Sequence, residues 1–291
     1  LEHFSIDGRE FYRTGRIIRV CGPTGHWYDA VEDPGATVTA LRRESRRLDV
    51  FTFFQQVPQT VPVHPFHTEP YPLAVLDLTS FEEWHAKRIN KSMRRAIRKA
   101  EASGIEVRPT PFDDAFVAGV CDLYNETPMR QGRRFPHYGD SLEKVRRELG
   151  TFAQRSVFLG AYQGGQLVGS TKIVFLERVA DVLQFLSRVS HQDRGVSAAM
   201  LACTVRISLS RASRYLVYGE LHHGGLGEFK RQAGFVRMDL PRYFVPLSPL
   251  GACAIALRLH RRPSSFLPPA ASAALKSLRR RWFASRLTDM S

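Results

Sequence analysis

From Ser156 to Ser190 the chain reads SVFLGAYQGGQLVGSTKIVFLERVADVLQFLSRVS, and no other stretch restricts the fold as much. Three β-rich runs are divided by the turn signals QGG and ERVAD, which are too short for a helical crossover. Successive strands must therefore run antiparallel. After the polar turn HQDR comes GVSAAMLACTVRISLSRA, apolar on nearly every side, the pattern of a helix packed on all faces. A meander that feeds a buried helix predicts an α+β fold with a mixed central sheet flanked by helices.

The flanking segments extend this pattern. Downstream lie a strand (YLVYGEL), a helix (GLGEFKRQAGF) and a strand (VRMDLPRYFVPL); upstream lie a strand (GIEVRPT) and two helices (DDAFVAGVCDLYNET and SLEKVRRELGTFA). Before them, TSFEEWHAKRINKSMRRAIRKAEASG reads as one helix. It opens at Thr79 or Ser80 with Glu82 and Glu83 behind, places Phe81, Trp84, Ile89, Met93, Ile97 and Ala100 near a helical period, and stops at Gly104. Seven of the thirteen residues from Lys87 to Lys99 are basic, which suits either a solvated helix face or a contact for an acidic ligand or nucleic acid. The first eighty residues read as short strands and turns. RIIRVC and DVFTFFQQV are β-rich, TVTALRRESRRL is a helix, and the Pro-rich VPQTVPVHPFHTEPYP leads into the strand LAVLDL. The expected domains are an N-terminal α/β region over 1–104, a catalytic-type domain over 105–247 and a basic tail over 248–291.

Charge narrows the partners. Forty-two Lys and Arg against 28 Asp and Glu give a net charge of +14, which favours polyanions: nucleic acid, an anionic membrane surface or a phosphate-rich cofactor. Between Leu240 and Thr288 there is no acidic residue, and the tail mixes Arg and Lys with Leu, Phe and Trp. That composition suits peripheral contact with an anionic membrane or an acidic protein, and equally a basic helix packed on the fold. The four cysteines are far apart without a CxxC pair, so neither a disulfide framework nor a metal site is expected. No signal-peptide pattern and no apolar run near the ~20 residues of a membrane span appear. The expected location is the cytoplasm, with the tail able to reach the inner face of the membrane.

The order of four strands, a QDRGVSA turn, a buried helix, a strand and a helix closing on AGF resembles the GCN5-related N-acetyltransferase (GNAT) superfamily, over about Ile105 to Leu247. In physical terms, small residues at a helix start let the chain approach a pyrophosphate, and the free N–H groups and the helix dipole attract it. The resemblance implies an acyl-CoA co-substrate (acetyl-CoA or longer) with its pyrophosphate on Arg194, Gly195, Val196, Ser197 and Ala198. Its pantetheine arm would pair with the strand backbone at Leu186, Ser187, Arg188 and Val189. It also implies a base at the end of the next strand, where Glu220, His222 and His223 stand, to take a proton from an amine or hydroxyl. Lys230 occupies the position where the family often has a Tyr that returns a proton to the leaving thiolate. The loop NETPMRQGRRFPHYGD is rich in Arg, so Arg130, Arg133 and Arg134, with His223, are the expected acceptor contacts.

INKSMRRAIRKAEASGIEVR and the FK before the final GF are similar to the FemAB-like branch. Its peptidoglycan cross-bridge enzymes carry two GNAT-like domains and take aminoacyl-tRNA as donor, and here the first domain would be smaller and partial. The main expectation is an acyltransferase that moves an acyl group from acyl-CoA to an unidentified small-molecule or cell-envelope acceptor. Two alternatives stand beside it. One is an aminoacyl-tRNA-dependent ligase acting on a cell-wall or lipid-linked precursor; the other is a non-catalytic binding or membrane-associated module on the same scaffold.

Overall fold

A computed structural model of the protein describes residues 2–130 and 132–260. The described residues divide into two compact units, one formed by 2–72 with 238–260 and one within Leu73–Arg237. These breaks differ from the expected ones at 104 and 247. Most of the basic tail lies outside the described residues.

The first unit opens with a hairpin. Glu2–Ile6 and Arg9–Thr14 pair antiparallel through Ile6↔Arg9, and Asp7 (φ 49°) and Gly8 (φ 75°) supply the left-handed turn between them. Asp-Gly is the sequence signature of such a turn, yet it went unread because the strands on either side are short and polar. Val20–Pro23 continues the sheet antiparallel to the hairpin, Val50–Phe54 follows parallel, and Arg242–Pro246 closes antiparallel on Val50–Phe54. Every residue of Val50–Phe54 is buried, as befits a strand with neighbours on both edges. The helix Pro34–Arg43 starts where Asp33 accepts from Ala36 N at 2.8 Å and Pro34 presets the first turn. It buries Val38 and Leu41 against Phe4, Phe11, Phe51 and Phe53. Buried Tyr243 donates to Gln55 Oε1 at 2.6 Å and accepts from Val63 N at 2.8 Å, which ties down the Pro-rich connection.

The second unit carries the expected meander. Ser156–Gln163, Gln166–Leu176 and Val179–Ser187 pair antiparallel in succession, and Glu106–Pro109 adds to the outer edge of the first. On the other side Tyr215–Glu220 runs parallel to Val179–Ser187, and the stretch from Leu73 to Asp77 pairs antiparallel with Tyr215–Glu220. The apolar segment forms the helix Val196–Ser210, with Val196, Met200, Leu201, Ala202 and Val205 at 0–1 % exposure. It is buried over most of its surface, with Arg206 and Ser210 exposed.

One expected helix is two. Ser80 caps a first segment as anticipated, its hydroxyl accepting from Glu83 N. That segment ends in a single π-turn over Trp84–Arg88, closed by Ile89 N on Trp84 O. Asn90 then caps a second helix, Lys91–Ala102, accepting from Met93 N at 2.8 Å. The apolar spacing runs through the break, so periodicity could not reveal it, whereas Asn followed by a basic amphipathic run is a start signal in itself. Arg94 donates to the carbonyls of His85, Ala86 and Ile89 and so stabilises the break. The second helix packs Met93, Ile97 and Ala100 into the core of this unit. For that reason it belongs with the meander and not with the first hundred residues. No helix among the described residues is long and apolar enough to cross a membrane.

Candidate functional site

The parallel pairing of Val179–Ser187 with Tyr215–Glu220 covers only Val179↔Tyr215, Ala180↔Leu216 and Asp181↔Val217. Beyond it the ladder ends, and Leu186 and Ser187 pair only with Ser170 and Gly169 of the meander. Into this opening falls a cavity of about 400 Å³. Its walls come from four places: Ser92, Met93 and Ala96 of the basic helix; Phe185–Ser187 with Tyr218 of the parted strands; Gln192, Gly195, Ser197 and Ala198 of the turn; and Gly225, Leu226, Phe229 and Gln232 of the helix Gly225–Gln232. Arg130 is its one charged lining residue among those described.

Gly195 has two reasons to be glycine. Its φ is +79°, a conformation L side chains avoid, and a Cβ on it would stand 2.1 Å from Ala96 O. The bare backbone at the turn therefore seats the basic helix against the start of Val196–Ser210. Ser187 Oγ and Ser197 Oγ meet at 3.1 Å and join strand end to helix start. No side chain caps that helix, which leaves its first N–H groups available. Of the other expected cradle residues, Val196 is fully buried in the core and Arg194 Nη1 donates to Gln163 Oε1 at 2.6 Å. Arg188 Nε donates to Leu167 O at 3.2 Å, and Val189 is an exposed residue whose N–H is taken by Glu126. Leu186, Ser187, Gly195, Ser197 and Ala198 are thus the ones brought together at the cavity.

Arg130 is held from within. Nη1 donates to Ser187 O at 2.8 Å, Nη2 donates to Leu123 O at 2.7 Å and meets Glu126 at 3.2 Å, and the guanidinium lies over the Phe135 ring. Glu126 is the partner that sequence reading missed. Its carboxylate accepts from Val189 N at 2.7 Å, Ser190 N at 3.1 Å and Ser190 Oγ at 2.8 Å, so it fills the place an anion would take at that turn. Burial would raise its pKa, but the N–H donors, the Ser190 hydroxyl and Arg130 together hold it below the usual carboxylate range. Glu126→Ala is expected to cost about 1–2 kcal/mol, since it removes the shared acceptor of two amides, a hydroxyl and a guanidinium. An unchanged urea midpoint would show that the 125–135 loop is not anchored this way. Arg133 and Arg134 sit exposed on a two-residue strand beyond it.

On the far wall, Lys230 Nζ donates to Tyr218 O and, at 2.9 Å, to Glu220 O, with the Tyr218 ring beneath it. It is 3 % exposed, and burial pushes its pKa down to about 8 against the pull of Asp181 and Glu220. Lys230 therefore fastens the end of the strand rather than lining the cavity. Tyr218 does line the cavity, and burial raises its phenol pKa, so the hydroxyl stays protonated at neutral pH. Alternation from Glu220 would have suggested Tyr218, but Gly219 (φ 51°) interrupts the register between Val217 and Glu220. The strand stops at Glu220, yet His222 still reaches it: Nε2 lies 3.0 Å from Glu220 Oε2. His223 is exposed, and Gly227 packs so closely on His222 O that a Cβ there would lie 1.7 Å away. A largely apolar cavity with one guanidinium in its wall can hold an acyl group, and the carboxylate–imidazole pair two residues beyond its Tyr218, although not itself part of the lining, has the chemistry to take up a proton.

The basic helix offers a second surface. Lys91, Arg95, Arg98 and Lys99 are exposed on it, while Arg94 is engaged by carbonyls.

No protein-family model matches the sequence, and no curated protein matches it either. Solved structures do match in fold. The structure of L-PGS from Bacillus licheniformis is 14% identical, with 89% of this chain and 89% of that one covered and a TM-score of 0.59. FemX is 10% identical, covering 86% of this chain and 89% of that one, also at 0.59. The C-terminal domain (DUF2156) of a proposed lysylphosphatidylglycerol synthetase from Agrobacterium fabrum is 12% identical over 88% and 86%, at 0.57.

Proposed function

We infer that this chain, which has the GNAT-like tandem α+β fold seen in FemX and L-PGS, transfers an aminoacyl group from aminoacyl-tRNA to an amine or hydroxyl of a cell-wall or lipid-linked precursor. The observation that carries this reading is the extent of the likeness, which spans both units and over 85% of each chain compared. The Agrobacterium structure is named for the synthesis of a lysylated phospholipid, so a phospholipid is one class of acceptor. The net charge of +14 and the exposed cations of Lys91–Ala102 support a polyanionic donor. The acyl-CoA reading draws on the uncapped, small-residue start of Val196–Ser210. Against it, Arg130 holds the Ser187 carbonyl that a pantetheine arm would need.

The residues divide the work as follows. The acceptor's N–H or O–H attacks the ester carbonyl of the donor held in the cavity, while Glu220, oriented by His222, takes the proton. The carbonyl re-forms as the bond to the ribose oxygen breaks, and that oxygen receives the proton back from Glu220. Lys230 keeps the Glu220 backbone in place during this exchange.

Full-length protein is assayed with a set of radiolabelled charged tRNAs, with phosphatidylglycerol vesicles and a peptidoglycan-precursor peptide as acceptors and acetyl-CoA as the competing donor. The expected outcome is transfer from charged tRNA, binding that weakens steeply between about 50 and 200 mM salt, and no turnover of acetyl-CoA. Glu220→Gln should lower turnover by roughly 10²-fold or more without altering the salt dependence of tRNA binding. Turnover of acetyl-CoA in the absence of any tRNA binding would replace this reading with the CoA-dependent one.

A further inference from the structure

Away from the cavity, in the first unit, two imidazoles converge on one carboxylate. His67 and Glu69 lie two residues apart on an extended strand and so share a face. His260 comes from the turn after the helix Pro249–Ala256. Its Nε2 is 2.9 Å from Glu69 Oε1, and His67 Nε2 is 3.5 Å from the same oxygen. The donor atoms of all three residues lie within 4.8 Å of one another.

The second nitrogen of His260 decides how this group is read. Nδ1 faces the backbone acceptor Ala254 O at 3.3 Å, which orients the ring. Its Nε2 points at the Glu69 carboxylate, so a cation bound there would be held by imidazole and carboxylate together. An imidazole that donates one N–H to a backbone carbonyl while its other nitrogen points at further ligands is the usual state of a metal-bound histidine. The two distances to Glu69 Oε1, 2.9 and 3.5 Å, bracket the roughly 3.3 Å at which a tetrahedral ion with bonds of about 2.0–2.1 Å holds its ligands. The ring is also preset, packed 4.4 Å from Phe244, and its side chain is 1 % exposed while that of His67 is 43 % exposed. The site is rigid behind and open in front. His137, Asp140 and Glu148 make a second cluster, but there Lys144 Nζ already sits 2.6 Å from Asp140 and supplies the positive charge.

We propose that His67, Glu69 and His260 form a binding site for a divalent transition metal of the Zn²⁺ type, with solvent in the fourth position. Two nitrogens and one carboxylate oxygen suit that class and not Mg²⁺ or Ca²⁺, which prefer all-oxygen shells. The ion joins the turn that leads into the basic tail to the strand at His67. Sequence alone could not reveal it, since His260 lies 191 residues beyond Glu69.

The test is calorimetric titration of untagged full-length protein with Zn²⁺, with Co²⁺ as spectroscopic substitute. One ion per chain is expected, with a higher Tm when it is bound. His67→Gln and His260→Gln should each weaken binding at least tenfold, and His137→Gln should leave it unchanged. His67 is exposed, so its replacement tests the site without disturbing the core. Bound Co²⁺ should show tetrahedral d–d bands without thiolate charge transfer. The proposal is overturned if His67→Gln binds Zn²⁺ as tightly as the wild type. Thiolate charge transfer, or no stoichiometric binding at all, would overturn it equally.

Discussion

Replacing Gly195 by alanine is expected to destabilise the protein by about 2–6 kcal/mol, adding left-handed backbone strain to an overpacked contact. The residue sits at φ +79°, and the added Cβ would press on Ala96 O at 2.1 Å and come within 3.3 Å of Ala100 N. Those atoms are backbone of the basic helix and have no rotamer with which to escape. The two helices would have to separate, which would open the cavity wall formed by Ala96 and Gly195. Gly165 serves as the control: its φ of +81° is nearly the same, but nothing lies within 4 Å of its Cβ position. Urea denaturation of both alanine variants separates strain from clash. If Gly195→Ala costs no more than Gly165→Ala, the close helix approach does not hold in solution.

Lys230 gives the second large effect, read through pH. Burial lowers its pKa to about 8 from the 10.5 of an unperturbed lysine. Between those values the unfolded chain binds a proton that the folded one has released, so the wild type gains stability as pH rises through this window and loses it as pH falls toward 8. Lys230→Met removes that linkage. The wild type's stability relative to the variant should therefore grow by about 1 kcal/mol per pH unit between pH 8 and 10. At neutral pH the variant leaves Tyr218 O and Glu220 O without their donor. Its turnover should fall even where its stability approaches the wild type's. Urea midpoints at three pH values check the linkage. A constant difference across them would mean that the ammonium is solvated and not bound among carbonyls.

Much of the second unit was legible because its signals are local. The Gly-Gly turn, the apolar runs of the meander, the all-round apolar helix and the Ser80 cap each depend on residues a few positions apart, and each appears where it was expected. Legibility failed where two local signals compete, as at Asn90, where a cap interrupts an unbroken apolar period. It failed again where elements are too short to show a period, as in the opening hairpin.

The site was harder because its partners are distant in sequence. Arg130 and Lys230 were read as groups aimed at ligands, yet a guanidinium or ammonium goes first to the nearest unsatisfied carbonyls, here Ser187 O, Leu123 O, Tyr218 O and Glu220 O. The sequence by itself determined the α+β class, the meander, the buried helix and the need for a small residue at 195, because these follow from periodicity and backbone sterics. Only the tertiary structure decided what that glycine faces, which of the charges are spent inside the fold, and that His67, Glu69 and His260 meet. Those outcomes depend on which distant backbone or side-chain atoms packing brings within a few ångströms, and no pattern along the chain encodes that distance.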